Sequence, residues 1–139
     1  MLIVRYEKDF NTMLTIIPDI HANLDLLERC LDSAAGTRPA FLGDFIDAGE
    51  KPAFTSDDRG VLHRVRALID SGEALAVMGN HELNAILFHR RGPDGQPLRA
   101  HSDKNFKQHE SFIAAVGLET PEALDWTDWF LSALPLWHE

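Results

Sequence analysis

Leu42-Gly43-Asp44-Phe45-Ile46-Asp47-Ala48-Gly49 is the stretch on which the fold turns. An apolar run ends in glycine, two aspartates follow three residues apart, and a second glycine closes the segment. The same form occurs twice more. Upstream, Ile17-Pro18-Asp19-Ile20-His21 is an apolar run ending in an acid and an imidazole. Downstream, Ala76-Val77-Met78-Gly79-Asn80-His81-Glu82 ends in a carboxamide and an imidazole. In an open α/β sheet the strand ends on one side share a crevice, and ligands bind there.

Working outward, the hydrophobic pattern alternates strand and helix. Residues 2–6 read as a short strand and residues 8–11 as a turn. Met13 to Ile17 is a β-rich run that Pro18 should end, because proline donates no ladder hydrogen bond. Asn23 can cap a helix carrying Leu24, Leu27, Cys30, Leu31 and Ala34 at helical spacing, with Gly36 as the stop. Pro39 to Leu42 gives the second strand. Asp57 or Asp58 can start a helix with Val61, Leu62, Val65, Leu68 and Ile69 inward, closed by Gly72. Ala74 to Met78 gives the third strand, and helix returns from Glu82 through Phe88. The order β-α-β-α-β-α over residues 13–88 predicts an α/β fold with parallel strands and covering helices. Residues 90–104 read as an exposed loop over the site. Two further helices are expected at Lys107–Val116 and Pro121–Leu131.

Composition bounds the rest. The 139 residues fit one domain, and 45% hydrophobic content is enough for a core. A net charge of −9 argues against a nucleic-acid or anionic-membrane surface. It leaves a phosphorylated substrate open, since a bound divalent metal reverses the local field. A single cysteine, Cys30, allows no internal disulfide and points to a reducing compartment. It falls on an apolar helix face and reads as a buried, inert thiol. No run of 18 apolar residues is present to span a membrane.

Asp19 and His21 lie two apart at a strand end, where the strand period of two turns both side chains the same way. Both could reach one cation. Asp44 could bridge two cations, and Asn80 offers a neutral amide oxygen to the second. Mixed O and N donors suit Mn, Fe, Zn or Mg. Two cations about 3.5–4 Å apart would clamp a phosphate and lower the pKa of a bridging water, making a hydroxide nucleophile. His81 could protonate the leaving alkoxide, with Asp47 orienting its ring. Gly43 and Gly79 permit tight turns and close backbone approach. Taken singly, each residue has a plainer reading: Asp47 as a turn or cap residue, Asn80 as an N-cap, His101 and His109 as exposed histidines. His63 and His89 suggest no role. Trp126, Trp129 and Trp137 read as core or contact residues. Three ligand-bearing loops after three β runs are what set the plainer readings of the site residues aside.

Asp19-Ile20-His21, Gly43-Asp44-Phe45-Ile46-Asp47 and Gly79-Asn80-His81-Glu82 together resemble the calcineurin-like metallophosphoesterases. The nearest branch is that of serine/threonine protein phosphatases and symmetrical diadenosine tetraphosphate hydrolases. The resemblance is close over residues 13–88 and weaker toward Trp137. It implies a β-sandwich flanked by helices, of which residues 1–139 would form the N-terminal half of a domain truncated at its C-terminus. It implies Asp19, His21, Asp44 and Asn80 as ligands to two divalent metals, Mn first and Fe, Zn or Mg as alternatives, with His81 and Asp47 catalytic. The function it implies is metal-dependent hydrolysis of a phosphoric ester, in a phosphoprotein or a phosphorylated small molecule such as a dinucleoside polyphosphate. A cytoplasmic location follows from the same likeness.

Three departures shape the alternatives. Pro18 and Ala22 stand where the family usually has glycine, and Ala48 where this branch has a phosphate-clamping arginine. Arg90, Arg91 or Lys104 are the candidates to replace that clamp. The family's later histidine ligands would fall beyond position 139. The competing reading is therefore a non-catalytic or inactive fragment that keeps the fold as a binding or interaction protein. A nucleotide-binding α/β domain ranks lower, since no Gly-x-Gly-x-x-Gly or Gly-rich Lys-Ser/Thr loop is present. Leu131, Leu134, Leu136 and Trp137 are expected to form an exposed apolar patch through which the chain could dimerise.

Overall fold

The computed structural model describes residues 2–5 and 13–137. The turn expected at residues 8–11 lies outside them. Among the described residues four strands form one sheet in the order β1-β2-β3-β4: β1 (Leu2–Arg5), β2 (Met13–Ile17), β3 (Arg38–Phe41) and β4 (Leu75–Ala76). β2, β3 and β4 run parallel, with Ile17 opposite Phe41 and Phe41 opposite Ala76. β1 adds to the outer edge of β2 antiparallel, with Leu2 opposite Ile16. The architecture is α/β, a small and mainly parallel sheet flanked by helices.

The helices start where local chemistry satisfies their free N–H groups. Asn23 caps α1 (Leu24–Ser33) by accepting from the Leu26 N–H. Asp57 caps α2 (Asp58–Asp70) by accepting from the Gly60 N–H. Gly79, not Asn80, is the N-cap of α3 (Asn80–Phe88), and the Glu82 carboxylate at the third helical position reaches back to the Gly79 N–H at 3.0 Å. The carboxamide of Asn80 is thereby left out of capping. α4 (Asp103–Gln108) and α5 (Glu110–Val116) follow one another across His109, and Thr120 caps α6 (Pro121–Ala133) with proline in the first turn. The segment at 90–104 is irregular except for its last two residues, which begin α4.

α2 packs against α1 and α5, and α3 against α6. Ile17, Phe41, Phe45, Leu62, Phe112 and Phe130 are buried at their junction. Cys30 is half-buried and packs on this core. Trp126 and Trp129 are core residues that meet edge to face, and the Trp129 indole N–H donates to Asp70 at 3.0 Å. Leu134, expected in an exposed patch, belongs to the core instead, whereas Leu131, Leu136 and Trp137 are each exposed. The Pro135 carbonyl accepts the Met78 N–H at 2.8 Å and ties this segment beside the chain leaving β4. Among the described residues no helix is long and apolar enough to cross a membrane.

Candidate metal and acid–base site

The three loops that follow β2, β3 and β4 lock together through their backbones. The N–H groups of Ile20 and His21 both donate to the Asp44 carbonyl at 3.0 Å, and the Ala22 N–H donates to the Phe45 carbonyl at 2.7 Å. The third loop is joined to the second by Glu82. This fully buried carboxylate accepts from the N–H groups of Asp44, Phe45 and Gly79 at 2.8, 2.8 and 3.0 Å. Burial pushes its carboxyl up, and the N–H donors only partly oppose that. Glu82 stands in the third motif, where residue type and spacing mark it only as the start of a helical run.

Four non-glycine residues of the first two loops have left-handed backbones: His21, Ala22, Asp44 and Asp47, with φ of 47°, 58°, 54° and 66°. Such residues cost about 1 kcal/mol or more each and persist where the surroundings over-determine them. Here the shared loop hydrogen bonds do so. Asp47 is fixed further by the buried Asp58, whose carboxylate accepts the Asp47 N–H at 3.0 Å. Desolvation pushes the Asp58 carboxyl up.

The same backbone places the side chains. One ligand atom each from His21, Asp44 and His81 lies within 4.8 Å of the others. That spread is close to twice a metal–donor bond of about 2.1 Å, so one ion could touch all three. The donor chemistry, two imidazoles and a carboxylate, fits a first-row divalent ion. His21 Nδ1 is 3.1 Å from the Ile46 carbonyl, which can only accept, so the proton sits on Nδ1 and Nε2 is the free donor. Asp44 Oδ1 accepts the His81 backbone N–H at 2.9 Å, which fixes the carboxylate toward the third loop. Asp19 stands at the rim, exposed, with Oδ2 3.8 Å from His21 Nε2. It therefore lies beside the compact group and not within it. Asn80 opens α3 one residue before His81 and is exposed.

His81 Nδ1 is 2.8 Å from Asp47 Oδ2, as their spacing suggested. The bond to Asp47 raises the His81 pKa above its ordinary value. Burial alone would push Asp47 up, but the hydrogen bonds from His109 and His81 outweigh it, and its carboxyl lies below the usual range. His109 is the residue the sequence misplaced. It is 1% exposed, and its Nδ1 lies 2.8 Å from Asp47 Oδ1. Behind it stands His89, 3% exposed, with Nε2 3.0 Å from His109 Nε2. Burial lowers the His89 pKa to about 4. A signal was present: Phe106, His109 and Phe112 recur at a spacing of three, so His109 shares an aromatic helix face, and its ring stacks on Phe112 with centroids 4.9 Å apart. His101 also turns inward, against Phe88 and bonded to the Phe88 carbonyl at 2.8 Å.

A cleft of about 530 Å³ opens beside these groups, within the range of small-ligand sites. Asp19, His21, Asp47 and His81 line it, together with Glu50, Phe54 and Lys107. Ala48 lies on its wall, its N–H bound to the Ser111 hydroxyl at 2.9 Å. None of the three basic residues expected to replace an arginine at position 48 lines the cleft. Arg90 pairs with Asp128 at 2.5 Å and Arg91 with Glu119 at 2.8 Å. Lys107 is the cation that does line it, paired with Glu50 at 2.8 Å.

Neither a curated protein nor a solved structure matches the chain. The family model described as calcineurin-like phosphoesterase matches residues 13–134, which takes in all three loops and the helix ends at which His89 and His109 stand. On that match, spanning most of the sequence and every side chain of the cluster, the chain belongs to the calcineurin-like phosphoesterase family.

Proposed function

We propose that the chain is a metal-dependent phosphoric-ester hydrolase. The observation that carries this reading is the convergence of His21, Asp44 and His81 within 4.8 Å, with Asp47 held against His81 in the same cleft. Asp19, His21 and Asp44 would hold one divalent ion, and Asp44 with Asn80 a second, Mn being the first choice. Bound there, the metal supplies positive charge against the phosphoryl oxygens and an acidified water.

The chain's own residues do the rest. His81 Nδ1 is held by Asp47, which leaves Nε2 to deliver a proton to the departing alkoxide. The bond to Asp47 raises the His81 pKa and so favours the protonated ring, in which Nε2 carries that proton. Lys107 supplies the cation that Ala48 lacks. It meets phosphate as a point charge, without the two-pronged grip of arginine, so weaker and less directional substrate binding is expected. Phosphoproteins and dinucleoside polyphosphates are the two substrate classes in view, and hydrolysis of one of each, compared side by side, separates them.

The direct test is Mn-supplemented hydrolysis of an aryl phosphate by the wild-type chain, Asp44→Asn and His81→Asn. Metal-dependent turnover that both variants lose supports the assignment. Equal rates in all three would overturn it. A folded wild-type chain that binds Mn yet turns nothing over would favour the binding-protein reading, to which Ala48 lends its weight.

A further inference from the structure

The buried imidazole pair behind Asp47 has one consistent arrangement of protons, and it reaches the cleft. The Glu119 backbone N–H lies 3.0 Å from His89 Nδ1. A backbone N–H can only donate, so His89 Nδ1 must accept, and a neutral His89 carries its proton on Nε2. That proton faces His109 Nε2 at 3.0 Å, which must then accept. His109 consequently carries its proton on Nδ1 and donates to Asp47 Oδ1 at 2.8 Å. The other carboxylate oxygen, Oδ2, accepts from His81 Nδ1 at 2.8 Å. A second proton on either buried ring would set N–H against N–H, at the 3.0 Å contact between the rings or at the Glu119 amide. Burial, which lowers the His89 pKa to about 4, acts in the same direction.

The origin of the chain is itself held fast. Glu119 has a left-handed backbone, with φ of 52°, and its carboxylate is gripped by Arg91 through contacts of 2.8, 3.1 and 3.2 Å. Phe88 and Phe112 pack around the two rings, edge to face or stacked, and keep them dry. Hydrogen bonds are stronger in such a low-dielectric setting, and leaving one member unpaired is correspondingly costly.

We propose that His109 and His89 are positioning residues for His81: starting from the Glu119 amide, they hold Asp47 as a double acceptor and fix His81 as the Nδ1–H tautomer, with Nε2 presented to the cleft. In water a histidine prefers the Nε2–H form, so two of the three rings, His109 and His81, are held in the less common tautomer. The kinetic consequence rests on His81 being the proton donor proposed above. The tautomers do not, and they can be read without metal or substrate.

The experiment is a long-range ¹⁵N–¹H correlation spectrum of the metal-free ¹⁵N-labelled protein near pH 7. Expected are His89 protonated on Nε2 only, His109 protonated on Nδ1 only, and the neutral form of His81 protonated on Nδ1 only, the proton that His81 delivers as an acid being the additional one on Nε2. A His109 signal of the Nε2–H or the doubly protonated type would overturn the proposal with no variant needed. His109→Phe, which keeps the aromatic packing but removes both hydrogen bonds, should return His81 to a mixture of tautomers. His109→Asn, whose side-chain NH₂ can stand in for Nδ1–H, should preserve the His81 form. In turnover, His109→Phe should lower kcat about tenfold to a hundredfold at nearly constant KM, and His109→Asn should recover most of it. If His109→Phe does not fold, the wild-type spectrum and His109→Asn still decide. Correct tautomers in a chain that hydrolyses nothing would retain the positioning chain and remove the hydrolase reading.

Discussion

Gly43 and Gly79 hold two of the site loops in direct backbone contact: a β-carbon on Gly43 would stand 2.1 Å from the Gly79 nitrogen, and one on Gly79 would stand 2.3 Å from the Asp44 nitrogen. No side chain fits between these loops, and the closeness is what lets one carboxylate, Glu82, bond both of them. Gly43 also has φ of +89°, which an L side chain resists. Gly43→Ala is expected to destabilise the fold by roughly 3 kcal/mol or more, from strain and overlap together. Gly36 is the control. Its φ is +83°, but its β-carbon would meet nothing within 4 Å, so Gly36→Ala should lose only the conformational part, about 1 kcal/mol. Urea denaturation of both variants measures the difference, and equal losses would remove the close contact as the cause.

Glu82→Gln keeps the shape of the buried carboxylate but replaces one acceptor oxygen by an NH₂ donor. That donor would face backbone N–H groups of Asp44 and Gly79, or of Phe45. A loss of about 2–4 kcal/mol is expected, since at least one buried N–H loses its partner and a donor is set against it. The second and third loops should loosen together, and amide exchange at Asp44 and Gly79 should speed up. A variant as stable as wild type would mean that Glu82 does not join the loops.

Acid should weaken the fold through His89. Its pKa is about 4 in the folded protein against an ordinary 6.5, so below pH 6.5 the unfolded chain binds a proton that the folded one refuses. Stability from this group is therefore present above about pH 6.5 and lost as the pH falls toward 4, by up to about 3 kcal/mol. Burial is the main cause; His109 and His101 oppose a charge on His89, while Glu119 and Asp47 favour it. His81 works in the opposite sense. Its raised pKa gives stability that is present in acid and lost as the pH rises through that pKa. Comparing wild type with His89→Gln at pH 7.5 and pH 5 isolates the His89 part. Wild type should lose more on acidification than the variant, and parallel losses would contradict the assignment.

Lys107 should matter for binding and not for the chemical step. It lies in the cleft and is exposed, with its charge already shared with Glu50. Lys107→Ala is expected to raise KM about threefold to fivefold, on the order of 1 kcal/mol, with kcat little changed. Lys107→Arg should hold KM near wild type or improve it, because the guanidinium can grip phosphate with two N–H groups. An unchanged KM in Lys107→Ala would leave the loss of arginine at position 48 uncompensated.

The sequence disclosed what depends on local order. β2 begins and ends at Met13 and Ile17 as read, and the caps at Asn23 and Asp57 are where short polar side chains stood before apolar helical runs. The His81–Asp47 contact was also legible, since both residues sit just past strand ends that share a crevice. β4 was overread: only Leu75 and Ala76 pair, because beyond Ala76 the backbone turns toward the Pro135 carbonyl and the Gly43 contact. His109 and His89 were missed for a different reason. Their neighbours in sequence are Gln108, Glu110 and Arg90, which mark a solvated surface, and only the packing of Phe88, Phe106 and Phe112 turns these two imidazoles inward. Residue type alone could not tell that Lys107, and not Arg90 or Arg91, faces the cleft, because acidic partners on α6 and at Glu119 hold those arginines elsewhere.

The central claim is that three loops gather one metal-binding group. Mn²⁺ titration of the purified chain by calorimetry, repeated on Asp44→Asn, tests it most directly. Asp44 supplies a carboxylate to the His21 and His81 cluster, and its replacement by a neutral amide removes charge without altering shape. Saturable binding by the wild-type chain, weakened at least about tenfold in Asp44→Asn with the fold intact, is the expected result. A wild-type chain that takes up no Mn²⁺, or a variant that binds as well as wild type, would contradict it.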